Sequence, residues 1–225
     1  MKTTFNVALA AFILATAGAG DAQAHGVGCY WAFWENATYR QVAECIEAGE
    51  DIHARQHGRT PLHWAAKSGN PTPVQALIDA GADIEAQTTA LGQTPLHLAT
   101  LEGTGRWGPP EAMRILIEAG ANIEAQDNDG QTPLHLAVVR EGYGAGEPVH
   151  ELIGAGANIE ARDNDGQTPL HTAVQQGTGV AVQILIEAGA DIHARDKNGQ
   201  TPLDLAKLSG RTEVAQALRE AGAEE

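Results

Sequence analysis

Positive charge is scarce in this chain. Lys and Arg number 14 against 29 Asp and Glu, a formal net charge of −15 at pH 7. Nucleic acid and anionic membrane surfaces both call for a basic face, so neither is an expected partner. The acidic excess keeps an extended surface soluble and favours basic partners. Long apolar runs are scarce as well. After residue 24 no stretch is apolar for the length a bilayer requires, so no membrane anchor is expected once the N-terminal segment is removed. A nucleophile elbow, a phosphate loop and a zinc motif are all missing. Carboxylates are plentiful, but they recur at repeated positions such as Glu85, Glu124 and Glu160, the pattern of a solvated face rather than an acid/base pair. No enzymatic activity, metal or cofactor is expected. Cysteine is limited to one pair, Cys29 and Cys45.

The first 24 residues are of a different kind. Lys2 supplies a positive start, Phe5 to Ala17 is mostly apolar, and Ala22-Gln23-Ala24 gives the small-x-small pattern of a signal-peptidase site. A mature chain starting at His25, in the periplasm or secreted, is expected. A lipid attached at Cys29 fits poorly, because Asp21, Gln23 and His25 separate the apolar run from the cysteine. In an oxidising compartment Cys29 and Cys45 are expected to pair. The loop so closed stabilises the fold by ~3 kcal/mol in the chain-entropy picture. The alternative is one buried apolar thiol and one free thiol.

What the chain does have is a repeat. Thr-Pro-Leu-His occurs at Thr60–His63, Thr94–His97, Thr132–His135 and Thr168–His171, and a further copy, Thr201–Asp204, ends in Asp. Successive starts lie 34, 38, 36 and 33 residues apart. A period of that size denotes stacked units, not one core enclosing a buried active site. Upstream lie Asp127-Asn128-Asp129-Gly130, Asp163-Asn164-Asp165-Gly166 and Asp196-Lys197-Asn198-Gly199. These are hairpin-like turns, because Asn, Asp and Gly accept left-handed backbone angles. The Thr caps a helix with Pro at its first position, which predicts short helices such as Pro133–Val139 and Pro169–Gln175. After a Gly-bearing loop, apolar residues return at helical spacing: Val74, Leu77 and Ile78, then Met113, Leu116 and Ile117, then Val182, Leu185 and Ile186. Gly81, Gly120, Gly156 and Gly189 end these second helices.

Turn, helix, loop, helix, with Thr-Pro-Leu-His opening the first helix and Gly-Ala-Asp/Asn-Ile closing the second, resembles the ankyrin repeat over essentially all of residues 35–225. The resemblance implies an all-α solenoid of stacked helix-turn-helix units with β-turn fingers. On this reading residues 1–24 are a signal peptide, and 25–58 an N-terminal segment with a capping half-repeat. Residues 59–200 make four ankyrin repeats, the second and third with enlarged inter-helix loops, and 201–225 a C-terminal capping repeat. Val42, Cys45 and Ile46 take core places in the half-repeat. A Cys29–Cys45 bond would pin the aromatic cluster Tyr30, Trp31, Phe33 and Trp34 over the open end. Asp204, Lys207, Arg211, Glu213, Arg219 and Glu220 make the last unit polar on its outside. Leu62, Leu96, Leu134, Leu170 and Leu203 are expected in the core. His63, His97, His135 and His171 form a ladder that invites a metal reading; the resemblance implies that they bond backbone of the same and adjacent repeats instead.

The same resemblance implies a protein-protein interaction module, a monomer whose protein or peptide partner docks on the concave face of finger tips and first helices. The residue before each motif Thr is Arg59, Gln93, Gln131, Gln167 or Gln200. A row of amides, which donate and accept, suits extended backbone or polar side chains. On the first helices the exposed positions include Lys67, Leu101, Val139, Arg140 and Gln175, with Leu101 and Val139 an apolar pair in adjacent units. The enlarged loops, Gly103–Pro110 and the segment around Gly142–Gly146, project from one edge. Their Arg106, Trp107 and Tyr143 are residue types enriched at binding hot spots. The Gln56-His57-Gly58 finger is one residue short and the Thr88–Gly92 finger one long.

Two other readings stand beside this one. Signal cleavage would leave His25 with an amine and an imidazole able to chelate Cu(II); the alternative reading is a metal- or redox-linked periplasmic protein using His25 or Cys29/Cys45. The same scaffold also suits a non-specific protective helper of another exported enzyme.

Overall fold

Each unit is punctuated locally, by a Thr-Pro start and a Gly stop. The computed structural model of the chain describes Cys29 and residues 31–102, 111–139, 146–176 and 178–224. The described residues hold, in order, α1 (Trp31–Trp34), α2 (Tyr39–Glu47), α3 (Pro61–Ser68), α4 (Pro71–Asp79), α5 (Pro95–Glu102), α6 (Glu111–Glu118), α7 (Pro133–Ala137), α8 (Glu147–Gly154), α9 (Pro169–Gln176), α10 (Gly179–Glu187), α11 (Pro202–Leu208) and α12 (Thr212–Glu220). Thr60, Thr132 and Thr201 occupy N-caps with extended backbone, and Pro follows each. Helix α7 stops at Ala137, short of the expected Val139. The Val139 N–H turns instead to the Leu136 carbonyl at 3.3 Å, a three-residue closure that tightens the last turn.

The second helices end alike. Gly81 has φ +88°; its N–H bonds the Ile78 carbonyl at 2.9 Å, and the next N–H, of Ala82, reaches back to Leu77 at 2.9 Å. Those two bonds satisfy carbonyls the helix leaves open. The same pair of bonds closes at Gly49, Gly120, Gly156, Gly189 and Gly222.

First helices pack side by side in the order α3, α5, α7, α9, α11, and each packs on the second helix of its own unit. On the other layer α2 meets α4, α4 meets α6, α8 meets α10 and α10 meets α12. Helices this short do not persist alone in water, so stability comes from one apolar cluster running from Cys29 to Ala223. Leu62, Leu96, Leu134, Leu170 and Leu203 are at most 1% exposed. Among the described residues there is no strand, only an isolated bridge between Gln56 and Arg59 in the first finger.

The N-terminal end is sealed by a Cys29–Cys45 disulfide, with Cα atoms 6.5 Å apart. The bond ties Cys29, just ahead of α1, to α2, and α1 packs on α3. Trp34 is buried and meets Phe33 edge-on at 5.0 Å. Of the expected aromatic cover, Tyr30 and the Trp31 side chain lie outside the described residues.

Candidate interaction face

The motif histidines work as two-armed staples. In the first unit His63 Nδ1 accepts from the Thr60 backbone N–H at 3.2 Å and lies 2.7 Å from its hydroxyl. With Nδ1 an acceptor, the ring is the neutral Nε2–H tautomer, and Nε2 donates to the Gln93 carbonyl of the next unit at 3.0 Å. His97 reaches Gln131, His135 reaches Gln167 and His171 reaches Gln200 in the same way, at 3.0–3.1 Å. All four rings are fully buried. Burial pushes their pKa values below the ordinary histidine value, His63 to about 4. In the last unit Asp204 reproduces one arm only. Its carboxylate accepts the Thr201 N–H and hydroxyl, both at 2.9 Å, and these bonds hold its pKa below the usual aspartate value. A carboxylate has no counterpart to Nε2, and among the described residues no further unit stacks beyond it.

The fingers are stitched to one another through backbone. Asn128 N–H bonds the Leu91 carbonyl at 2.9 Å, Asn164 that of Asp129 at 2.9 Å, and Lys197 that of Asp165 at 3.0 Å. Within a finger, Asp127, Asp163 and Asp196 each accept the N–H of the Gln before the motif Thr, at 2.8–2.9 Å. Neighbouring fingers come so close that a Cβ at Gly130 would lie 2.7 Å from the Asn164 nitrogen.

A third ladder runs along the loops that follow the second helices. Glu85 accepts the Asn122 N–H at 2.8 Å, Glu124 the Asn158 N–H at 2.8 Å and Glu160 the Asp191 N–H at 2.7 Å. The expectation of a merely solvated carboxylate face is therefore corrected: these glutamates are rungs between units. Their equal spacing in the repeat was the available signal.

The expected contact residues fare unequally. Gln93 is buried, and Gln131, Gln167 and Gln200 are half-buried. Each of their carbonyls takes both a histidine Nε2 and the N–H that closes its own finger, so the row of amides is bound into the frame through its backbone. Lys67, Leu101, Val139 and Gln175, expected to be exposed, are half-buried, and so is Arg59. Leu208, Val180 and Leu91 are among the exposed large apolar residues, at 71%, 57% and 48%. Leu91 was not singled out from sequence; the extra residue in its finger was the clue. Trp64 was also missed. It replaces the Leu found at the equivalent place in three other units (Leu98, Leu136, Leu205). The Arg59 guanidinium lies 4.8 Å from the centre of its ring and the Lys67 ammonium 5.5 Å. Arg106, Trp107, Arg140 and Tyr143 lie outside the described residues, as does His25. Cys29 and Cys45 are brought together in a buried bond. Among the described residues no three His, Cys, Asp or Glu are grouped to hold a metal ion.

Comparison with known proteins agrees with this architecture. A family model described as ankyrin repeats matches in three copies, at residues 31–127, 87–147 and 139–225. The chain is 36% identical over 93 residues to alpha-latrotoxin-Lh1a of Latrodectus hasselti, covering 41% of this chain and 7% of the toxin. It is 40% identical over 81 residues to alpha-latrotoxin-Lhe1a of Latrodectus hesperus, covering 36% of this chain and 5% of that toxin. To palmitoyltransferase ZDHHC17 of Danio rerio it is 44% identical over 45 residues, 20% of this chain and 7% of the enzyme. The matched segments thus span 5–7% of these relatives' own lengths. With stapled histidines, stitched fingers and a model match running from residue 31 to 225, the chain belongs to the ankyrin-repeat family, whose repeats serve as protein-protein interaction modules.

Proposed function

We propose that this chain is an exported, non-enzymatic binding module that docks a protein or peptide on its concave face, aided by the enlarged loops carrying Arg106, Trp107 and Tyr143. One observation carries the reading: a division of labour between repeated and unrepeated residues. The recurring Thr, His, Glu and finger Asp use their hydrogen bonds inside the array. The varying residues Arg59, Lys67, Leu101, Val139 and Gln175 are half-buried and so keep part of their surface accessible. A rigid frame that leaves its variable positions open is the usual arrangement for recognition. Export is supported by the apolar leader with its Ala22-Gln23-Ala24 site and by a disulfide that persists where the compartment is oxidising.

The test is capture of partners from the exported fraction with wild-type protein, with Trp107→Ala/Tyr143→Ala, and with Leu101→Glu/Val139→Glu. Loss of a specific partner in the last variant supports the concave face, and loss in the first brings in the loops. Identical partner lists for all three would remove both surfaces from the reading. N-terminal sequencing of the recovered protein, beginning at His25, checks processing.

A further inference from the structure

The first finger differs from the others in a way that reverses the local charge. Where the last three fingers begin with Asp127, Asp163 and Asp196, this one begins with Gln56, and Arg59 stands where the other units have Gln. Being one residue shorter, it closes as a two-residue turn, with His57 and Gly58 both at positive φ (51° and 76°) and Gln56 and Arg59 paired across it. The motif histidines sense the change. His63 is disfavoured as a cation by Arg55 and Arg59, whereas the charges beside His97 and His135 are carboxylates (Asp127, Glu85; Asp163, Asp127, Glu124), and His171 has Asp196 opposed by Arg162. Arg55 is held in place, donating to the Gly58 and Gln87 carbonyls at 3.2 and 2.5 Å. Arg59 and Lys67 both lie over the Trp64 ring, which fixes two cations on a flat apolar support.

From this we infer that the first repeat forms a cationic head to the concave groove, where Arg59 and Lys67 over Trp64 receive an acidic segment of the partner. The inference rests on the concave-face reading above and names the chemistry at one end of it. It is opposite in sign to what the net charge of −15 suggests for the molecule as a whole. Long-range repulsion by the acidic array works against an acidic ligand elsewhere on the surface, so its acidic residues are confined to this end and its register is set. Glu50 and Asp51 line the cleft beside Arg59 and Trp64, and Lys67 is not among the residues that line it, so Lys67 is the cation on which the test turns.

The test is selection from a displayed random-peptide library on three proteins: wild type, Lys67→Glu, and Arg59→Glu/Lys67→Glu. Selected peptides are expected to be enriched in Asp and Glu on wild type, with enrichment reduced in the single variant and abolished in the double. A selected acidic peptide, synthesised and titrated by Trp64 fluorescence against a Trp64→Phe background, should bind the single variant about tenfold more weakly, and wild type more weakly as salt rises. Peptides that need Leu101 and Val139 but show no acidic enrichment overturn this inference and leave concave-face binding intact. Acidic enrichment in Lys67→Glu equal to that on wild type overturns it too. If no peptide is enriched on wild type, the broader reading falls with it. Should the double variant melt early, the single variant carries the comparison.

Discussion

Glu124 Oε1 accepts the backbone N–H of Asn158, 34 residues ahead, at 2.8 Å. Asn158 in turn turns its own side chain to the Glu160 N–H at 3.0 Å, and Glu160 passes the pattern to Asp191. The rungs are exposed at Glu124 and half-buried at Glu160, so each is worth about 1 kcal/mol, the net value of a hydrogen bond that competes with water. Glu124→Ala is expected to lower stability by that amount in urea unfolding, and Glu124→Gln, which keeps an acceptor oxygen, by less. Equal losses would show that charge rather than the bond is what matters there.

Acid should loosen the stack through its histidines. Each accepts at Nδ1 from a Thr N–H, so adding a proton there removes an acceptor inside the core. His63 titrates at about 4 when folded against roughly 6.5 when unfolded. A depressed folded pKa means the unfolded chain takes up the proton first. Its stabilising contribution is complete above pH ~6.5 and is lost as pH falls towards 4, by up to about 3 kcal/mol for this residue. His97, His135 and His171 shift in the same direction. Asp204 and Glu151 are also held below their usual values, by Thr201 and by Arg114, so their losses come at lower pH still. The urea midpoint should fall between pH 7 and pH 4.5; an unchanged midpoint would refute the staple account.

Two glycines with positive φ should respond differently to alanine. Gly81 (φ +88°) has open space where a Cβ would go, whereas at Gly130 (φ +74°) that Cβ meets the Asn164 backbone. Gly81→Ala is expected to cost about 1 kcal/mol from backbone strain alone. Gly130→Ala should cost more, because the next finger has to shift. Thermal melts of the two variants measure the difference.

Thr172 occupies a place held by Leu in neighbouring units, and its buried hydroxyl has no hydrogen-bond partner. Thr172→Val, which keeps the shape, is expected to be neutral or stabilising by up to about 1 kcal/mol. Thr168→Val is expected to destabilise, since the Thr168 hydroxyl lies 2.8 Å from His171 Nδ1. Stability moving the same way in both variants would count against the assignment.

Replacing Cys29 and Cys45 by Ser should cost about 3 kcal/mol for a loop with a separation of 16 residues. Protease cleavage should then appear first near α1, because Trp34 loses its tether ahead of the loss of the repeats.

Much of this architecture was legible in the order of residues. Thr-Pro starts, Gly stops and leucines at helical spacing act within one unit, and a local cause can be read locally. The disulfide was legible because the chain offers one pair of cysteines. Other properties depend on atoms some thirty residues away: Glu85 as a rung rather than a solvated acid, Gln93 buried while its equivalents keep some surface, Trp64 carrying two cations, and the first finger cationic within an acidic chain. Backbone N–H groups and charges of one unit are brought to another only by stacking, and the spacing of one finger against the next sets which side chains are left facing outward.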